Sequence, residues 1–121
     1  MGKWVAAEIL DRALSEIAGA GRMLALNGRP ESYALAATGR LAEASLAGVD
    51  FSLMNAGGGR QVVIGPKEDV PVMQEGFIDH VALVNDAEER LLYVTTCPLQ
   101  LVIAGGRVNF AAWSVEIGAP V

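Results

Sequence analysis

The spacing of hydrophobic positions changes along this chain. From Trp4 to Ala18, Val5, Leu10, Ala13, Leu14 and Ile17 recur mostly three or four residues apart, while Lys3, Glu8, Asp11, Arg12, Ser15 and Glu16 fall mainly between them. Ala and Leu dominate the stretch, and Gly19-Ala20-Gly21 offers a left-handed stop. The pattern predicts an amphipathic helix over 4–18 with Leu10, Leu14 and Ile17 facing the body of the protein. From Gly76 onward the pattern is different. Gly76–Asn85, Arg90–Thr96 and Leu101–Ile117 are runs rich in Val, Ile, Leu, Tyr and Thr, separated by an acidic turn at Asp86–Glu89 and carrying a turn at Gly105-Gly106. Such runs bounded by Asn, Asp and Gly predict strands and hairpins.

The middle of the chain is less regular. Arg22–Leu26 predicts a short strand, closed by the turn Asn27-Gly28-Arg29-Pro30. The segment 32–47 reads as a loop with one irregular strand, because Tyr33–Ala37 and Leu41–Leu46 each fit a helical turn or an extended edge. Val49–Met54 and Arg60–Ile64 predict two strands around the turn Asn55–Gly59. Gly65-Pro66 stops the second, Lys67–Pro71 reads as a polar connector, Val72-Met73 is too short for an element, and 118–121 reads as a tail. The expected fold is α+β and mainly β: an N-terminal helix and cap (1–21), then a β-rich body (22–121) of about six or seven short strands. Short turns favour antiparallel pairing, as a β-sandwich or a small twisted sheet with the helix across one face or end.

Composition narrows the picture. The 121 residues suit a single domain, 1–121, since domains commonly hold ~100–150 residues. Hydrophobic residues make up 52%, ample for a packed core. The net charge of −5 and the scattered Lys and Arg argue against a phosphate-binding surface, so no nucleic-acid partner is expected. Cys97 is the single cysteine, which excludes an internal disulfide and fits a reducing cytoplasm. No signal peptide is expected from the first residues, and no stretch approaches the ~20 apolar residues of a membrane span, so no membrane partner is expected.

The candidate chemistry is sparse. Gly57-Gly58-Gly59 lacks the spacing and the Lys-Ser/Thr of a phosphate loop, and Val62 stands where a dinucleotide motif needs its last glycine. A hairpin turn is the expected use. His80, the single histidine, has neither a Gly-x-Ser-x-Gly nucleophile nor companions for a zinc site, and reads as a strand residue with a hydrogen-bonded ring. Asp86, Glu88 and Glu89 lack calcium-loop spacing and read as a solvated hairpin tip, as do Glu68 and Asp69. Cys97, before Pro98, reads as a small buried hydrophobe. Neither catalytic residues, metal ligands nor a cofactor are expected, and the chain does not read as an enzyme. Trp4 and Trp113 are the candidate interface residues, because aromatics are enriched where subunits meet.

The order of short motifs resembles a family of small virion structural proteins of tailed bacteriophages. The likeness runs through Leu10-Asp11 and Ala13-Leu14 in the helix, Tyr33, Asp50-Phe51, and Gly59-Arg60. It continues through His80–Leu83, Leu91–Thr96, Ala104-Gly105 with Val108-Asn109, and Ala112-Trp113 with Val115–Ile117. It covers nearly the whole chain. The chain departs from the pattern at Met73-Gln74-Glu75, where smaller residues are expected, and at Ala87-Glu88-Glu89, where the turn is longer.

The resemblance implies a non-enzymatic head decoration or cement subunit on the capsid surface, made in the host cytoplasm, with the major capsid protein as partner. Tail or head–tail connector component, with a neighbouring connector or tail protein as partner, is the first alternative; a small cytoplasmic binding module is the second. The mean hydropathy of +0.36 exceeds what so small a domain can hide, which predicts a homo-oligomer. A trimer is the first expectation, and that step rests on the resemblance, since threefold axes recur on icosahedral shells.

Overall fold

A computed structural model describes residues 4–118. The N-terminal residues 1–3 and the tail beyond Gly118 lie outside the described residues.

The predicted helix forms as α1 (Ala7–Ile17). It begins three residues later than its pattern suggested: Ala6 is extended, and its methyl group offers no capping hydrogen bond to the first turn. Leu14 is its one fully buried residue; Leu10 and Ile17 are half-buried. Strand β1 (Arg22–Leu26) follows as expected. The segment 32–47 is not mostly loop. It holds a helix, α2 (Tyr33–Gly39), then β2 (Ala42–Ser45). Ser32 caps α2, its Oγ accepting from the Leu35 amide at 3.1 Å.

A 3₁₀ turn over Gly48–Asp50 replaces the start of the strand expected at Val49. There the Asp50 carboxylate accepts from the Ala47 amide at 2.8 Å. The hairpin of β3 (Phe51–Ala56) and β4 (Gly59–Ile64) comes next. The expected polar connector is strand β5 (Lys67–Pro71), with only Val70 buried. Strand β6 (Gly76–Asn85) matches expectation, whereas β7 (Arg90–Val102) runs on through Cys97 and Pro98. The last expected strand is two, β8 (Arg107–Phe110) and β9 (Trp113–Ile117). The described residues therefore hold nine strands; the surplus over six or seven comes from short elements that pair only with distant partners.

All named pairings are antiparallel, and the fold is α+β, mainly β. The sheets run β2-β1-β6-β7, β3-β4-β9 and β5-β8. The four-stranded sheet carries the core on both faces. Met23, Ala25, Val81 and Leu83 pack on one side with Val62, Ile64 and Val115 of the second sheet, Val70 and Val108 of the third, and Leu14 of α1. Leu24, Leu26, Ala82 and Val84 pack on the other side with Ala36 and Tyr33 of α2. This explains why β1 and β6 read as nearly unbroken apolar runs: neither face of their central stretch meets water. The Arg60 guanidinium binds Asp11 through Nε at 2.7 Å and Nη2 at 3.3 Å, fastening α1 to the start of β4.

Candidate interaction surface

The two tryptophans sit in different environments. Trp113 is half-buried and stacks on Tyr93 with ring centroids 6.1 Å apart and planes at 26°. Its indole Nε1 donates toward the Met23 sulfur at 3.4 Å. It therefore anchors β9 to the main sheet. Trp4 is 84% exposed, just ahead of α1.

His80 is held by its neighbour, with Nδ1 lying 2.7 Å from Asp79 Oδ1. The same carboxylate oxygen accepts from the Gly28 amide at 2.7 Å, so the pair pins the turn after β1 onto β6. The His80 hydrogen bond, then the Gly28 amide, holds the Asp79 carboxyl below its ordinary range. His80 also borders an open cleft of about 790 Å³ that runs beside Leu91–Thr96 under Arg29, Pro30 and Glu31.

Cys97 is partly buried. Burial, and secondarily the Asp79 charge, pushes its thiol above the ordinary value. It lines a second cleft of about 520 Å³ between β7 and the β8–β9 loop, with Ile78, Val81, Phe110 and Trp113. Gly57 and Gly58 adopt positive φ in the β3–β4 turn, as a glycine hairpin turn requires. Among the described residues, no three of His, Cys, Asp and Glu gather as a metal site requires. No helix of the described residues is long and apolar enough to cross a membrane.

The acidic hairpin tip needs a correction. Glu88 and Glu89 are exposed, but Asp86 is built into the fold. It takes two hydrogen bonds from Arg22, Nε to Oδ2 at 2.8 Å and Nη2 to Oδ1 at 2.7 Å, and one from the Tyr33 hydroxyl at 2.8 Å. Arg22 also pairs with Glu43, which Arg40 approaches at 3.2 Å. This network ties β1, α2, β2 and the β6–β7 tip together. The Arg22 hydrogen bonds, and after them the Tyr33 hydroxyl, hold the Asp86 carboxyl below its ordinary range; the same contact raises the Arg22 guanidinium further. A carboxyl depressed in the folded state stabilises above its unfolded value of about 3.9, and that stability is lost as pH falls through the folded value. Asp86→Asn is therefore expected to lower the melting temperature at pH 7 and to flatten its fall between pH 5 and pH 2. Melting curves across that range check it; equal acid slopes in both proteins would remove Asp86 from the account.

The residues that stand out as a surface are ones the sequence reading did not single out. Leu99, Leu101 and Ile103 are 66%, 61% and 63% exposed, and Phe77, which pairs with Leu101 across the ladder, is 48% exposed. Alternation along β7 places Leu99 and Leu101 on one face, and Ile103 follows just past the strand's end. Large side chains left together in water mark a contact surface more often than scattered ones do. The signal in the sequence was the absence of any charged residue between Arg90 and Arg107.

No family model matches the chain, and no curated protein or solved structure matches it.

Proposed function

We propose that this protein is a non-enzymatic structural subunit of a tailed-phage virion, a head decoration or cement protein docking onto the assembled capsid. The observation that carries the docking role is the apolar strip of Phe77, Leu99, Leu101 and Ile103 at one end of the β6–β7 hairpin. The virion setting is supported by the ordered motif resemblance along the chain. In this reading the strip settles against the major capsid protein in many copies. Because it binds the assembled shell and not free subunits, it shifts the equilibrium toward the shell, by about 2.7 kcal/mol per site at a hundredfold excess over Kd.

The test is the copy number of this chain in purified particles, by mass spectrometry, followed by particle imaging. Hundreds of copies spread over the shell support cement. A few copies at the tail or portal vertex would move the protein to the connector, and absence from particles would leave a cytoplasmic binding module. Leu101→Lys is expected to cut occupancy at least tenfold while shifting the melting temperature by no more than about 2 °C, since exposed positions rarely move stability beyond ~0.5 kcal/mol. Full occupancy by that variant would remove the strip from the contact.

A further inference from the structure

Between the main sheet and the β8–β9 loop lies the cleft of about 520 Å³ that Cys97 lines, within the ~300–1,000 Å³ common to small-molecule sites. Ile78 and Val81 of β6 and Val108 and Phe110 of β8 border it, and all four belong to the main core. Native interiors leave few voids larger than a water molecule, so a gap of this size against core side chains is room for an occupant. The strand that walls it is bulged there. Ile78 pairs with Gln100 and His80 with Thr96, so Cys97, Pro98 and Leu99 of β7 stand opposite Asp79 alone. Strict alternation would turn Cys97 and Gln100 to opposite faces; the bulge lets both line the cleft. Bulges recur beside binding sites, where they re-aim a side chain.

We propose that this cleft binds a small uncharged molecule built on one or two flat rings and carrying a hydrogen-bonding group such as an amide. Its walls choose the class. No charged residue lines it among the described residues, in a chain of which 19% is charged and whose larger cleft has Arg29, Glu31 and His80 on its walls. A charged ligand would lose water here and meet no counter-charge, which is costly. Phe110 and Trp113 bring ring surface to the cleft, and aromatic side chains favour flat partners that stack on them or meet them edge-on. The polar groups of the lining are amides and hydroxyls. The side chains of Gln100 and Ser114 make no hydrogen bond among the described residues. Asn109 uses only its Oδ1, which accepts from the Asp69 amide at 2.8 Å, so its amide donors are uncommitted. Such groups donate to a carbonyl and accept from an N–H, which suits a neutral amide. The site rests on the cleft alone and stands independently of the virion reading.

Amide NMR titration of the isotope-labelled protein with 2-naphthamide tests it. Saturable shifts are expected at Cys97, Gln100, Phe110 and Ala112, with Kd no weaker than about 1 mM, the bound for a ligand of this size. The anion 2-naphthoate and the cation 2-naphthylmethylammonium are each expected to bind at least about tenfold more weakly. Gln100 is exposed, so Gln100→Glu leaves the fold intact. That variant is expected to weaken 2-naphthamide at least about fivefold and to favour the cation over the anion. Cys97 is the single thiol, so its alkylation by N-ethylmaleimide, followed by intact mass, gives a second readout. Saturating 2-naphthamide is expected to slow that reaction at least about fivefold by blocking access to the sulfur. No saturation below about 1 mM, shifts centred on Phe77, Leu101 and Ile103, equal binding of the three probes, or an order of probes unchanged by Gln100→Glu would overturn the site.

Discussion

Gly59→Ala is expected to be the most damaging single-methyl change in this protein. A Cβ at that position would lie 2.0 Å from the Ile117 carbonyl oxygen and 2.9 Å from the Gly118 Cα. Both are backbone atoms, so no side chain can swing aside, and β4 and β9 must separate where Arg60 pairs with Ile117. Gly59 has no positive φ, so the cost comes from the close approach and not from backbone conformation. A loss of at least about 3 kcal/mol is expected, seen as a fall in melting temperature of about 10 °C or more. Gly48→Ala is the matched control, because its Cβ would meet nothing within 4 Å. If the two variants melted together, the approach of β9 to Gly59 would not exist in solution.

Leu14→Asp is the second large effect. Leu14 is 1% exposed and joins α1 to the main core. Aspartate would leave a cavity and bury a carboxylate with no partner, costing at least about 3 kcal/mol. Leu10 and Ile17 flank it but are half-buried, so the same change at Leu10 is expected to cost less. Urea unfolding of the three proteins gives the ranking. A Leu14→Asp protein melting within a degree or two of the parent would mean that α1 does not rest on the sheet.

The sequence was most legible where one molecule-wide fact fixed both faces of an element. Strands β1 and β6 are buried on both sides, so an unbroken apolar run marks them without any knowledge of partners. Helix α1 showed its stripe because one face meets the core. Strand β5 was hidden for the converse reason: Lys67, Glu68 and Asp69 point to no core, and only the β8 ladder makes the segment a strand. Helix α2 is seven residues long, too short for periodicity to declare itself, although Ser32 was a readable cap.

The same limit explains the site. Asp86 looks like Glu88 and Glu89 until the β1–β6 register is known; pairing Arg22 with Val84 brings the guanidinium to Asp86 and to neither glutamate. Trp113 read as a candidate interface residue; its partners inside the fold, Tyr93 and Met23, lie on strands that no local pattern joins to it. The apolar strip was visible only as an uncharged stretch. Exposure, which gives that stretch its meaning, is a property of the folded surface.

The strand order also has a consequence for synthesis. Strand β1 needs β6, about fifty residues downstream, and β4 needs β9, which is the last strand described. The four-stranded sheet cannot close before β7 is made, and the three-stranded sheet cannot close while the nascent chain ends before Trp113. The hairpins of the emerging polypeptide can form early, whereas the interior between the two large sheets is assembled only once β9 has been made. The β6–β7 and β3–β4 ladders are local hairpins, but β1–β6, β4–β9 and β5–β8 span long loops, a topology whose folding falls in the ms–s range and not the µs range. Until β9 arrives, the uncharged run from Leu91 to Gly106 can pair with β6 but lacks the Trp113 side of the core that packs on it. That makes it the stretch on which a holdase chaperone would act first.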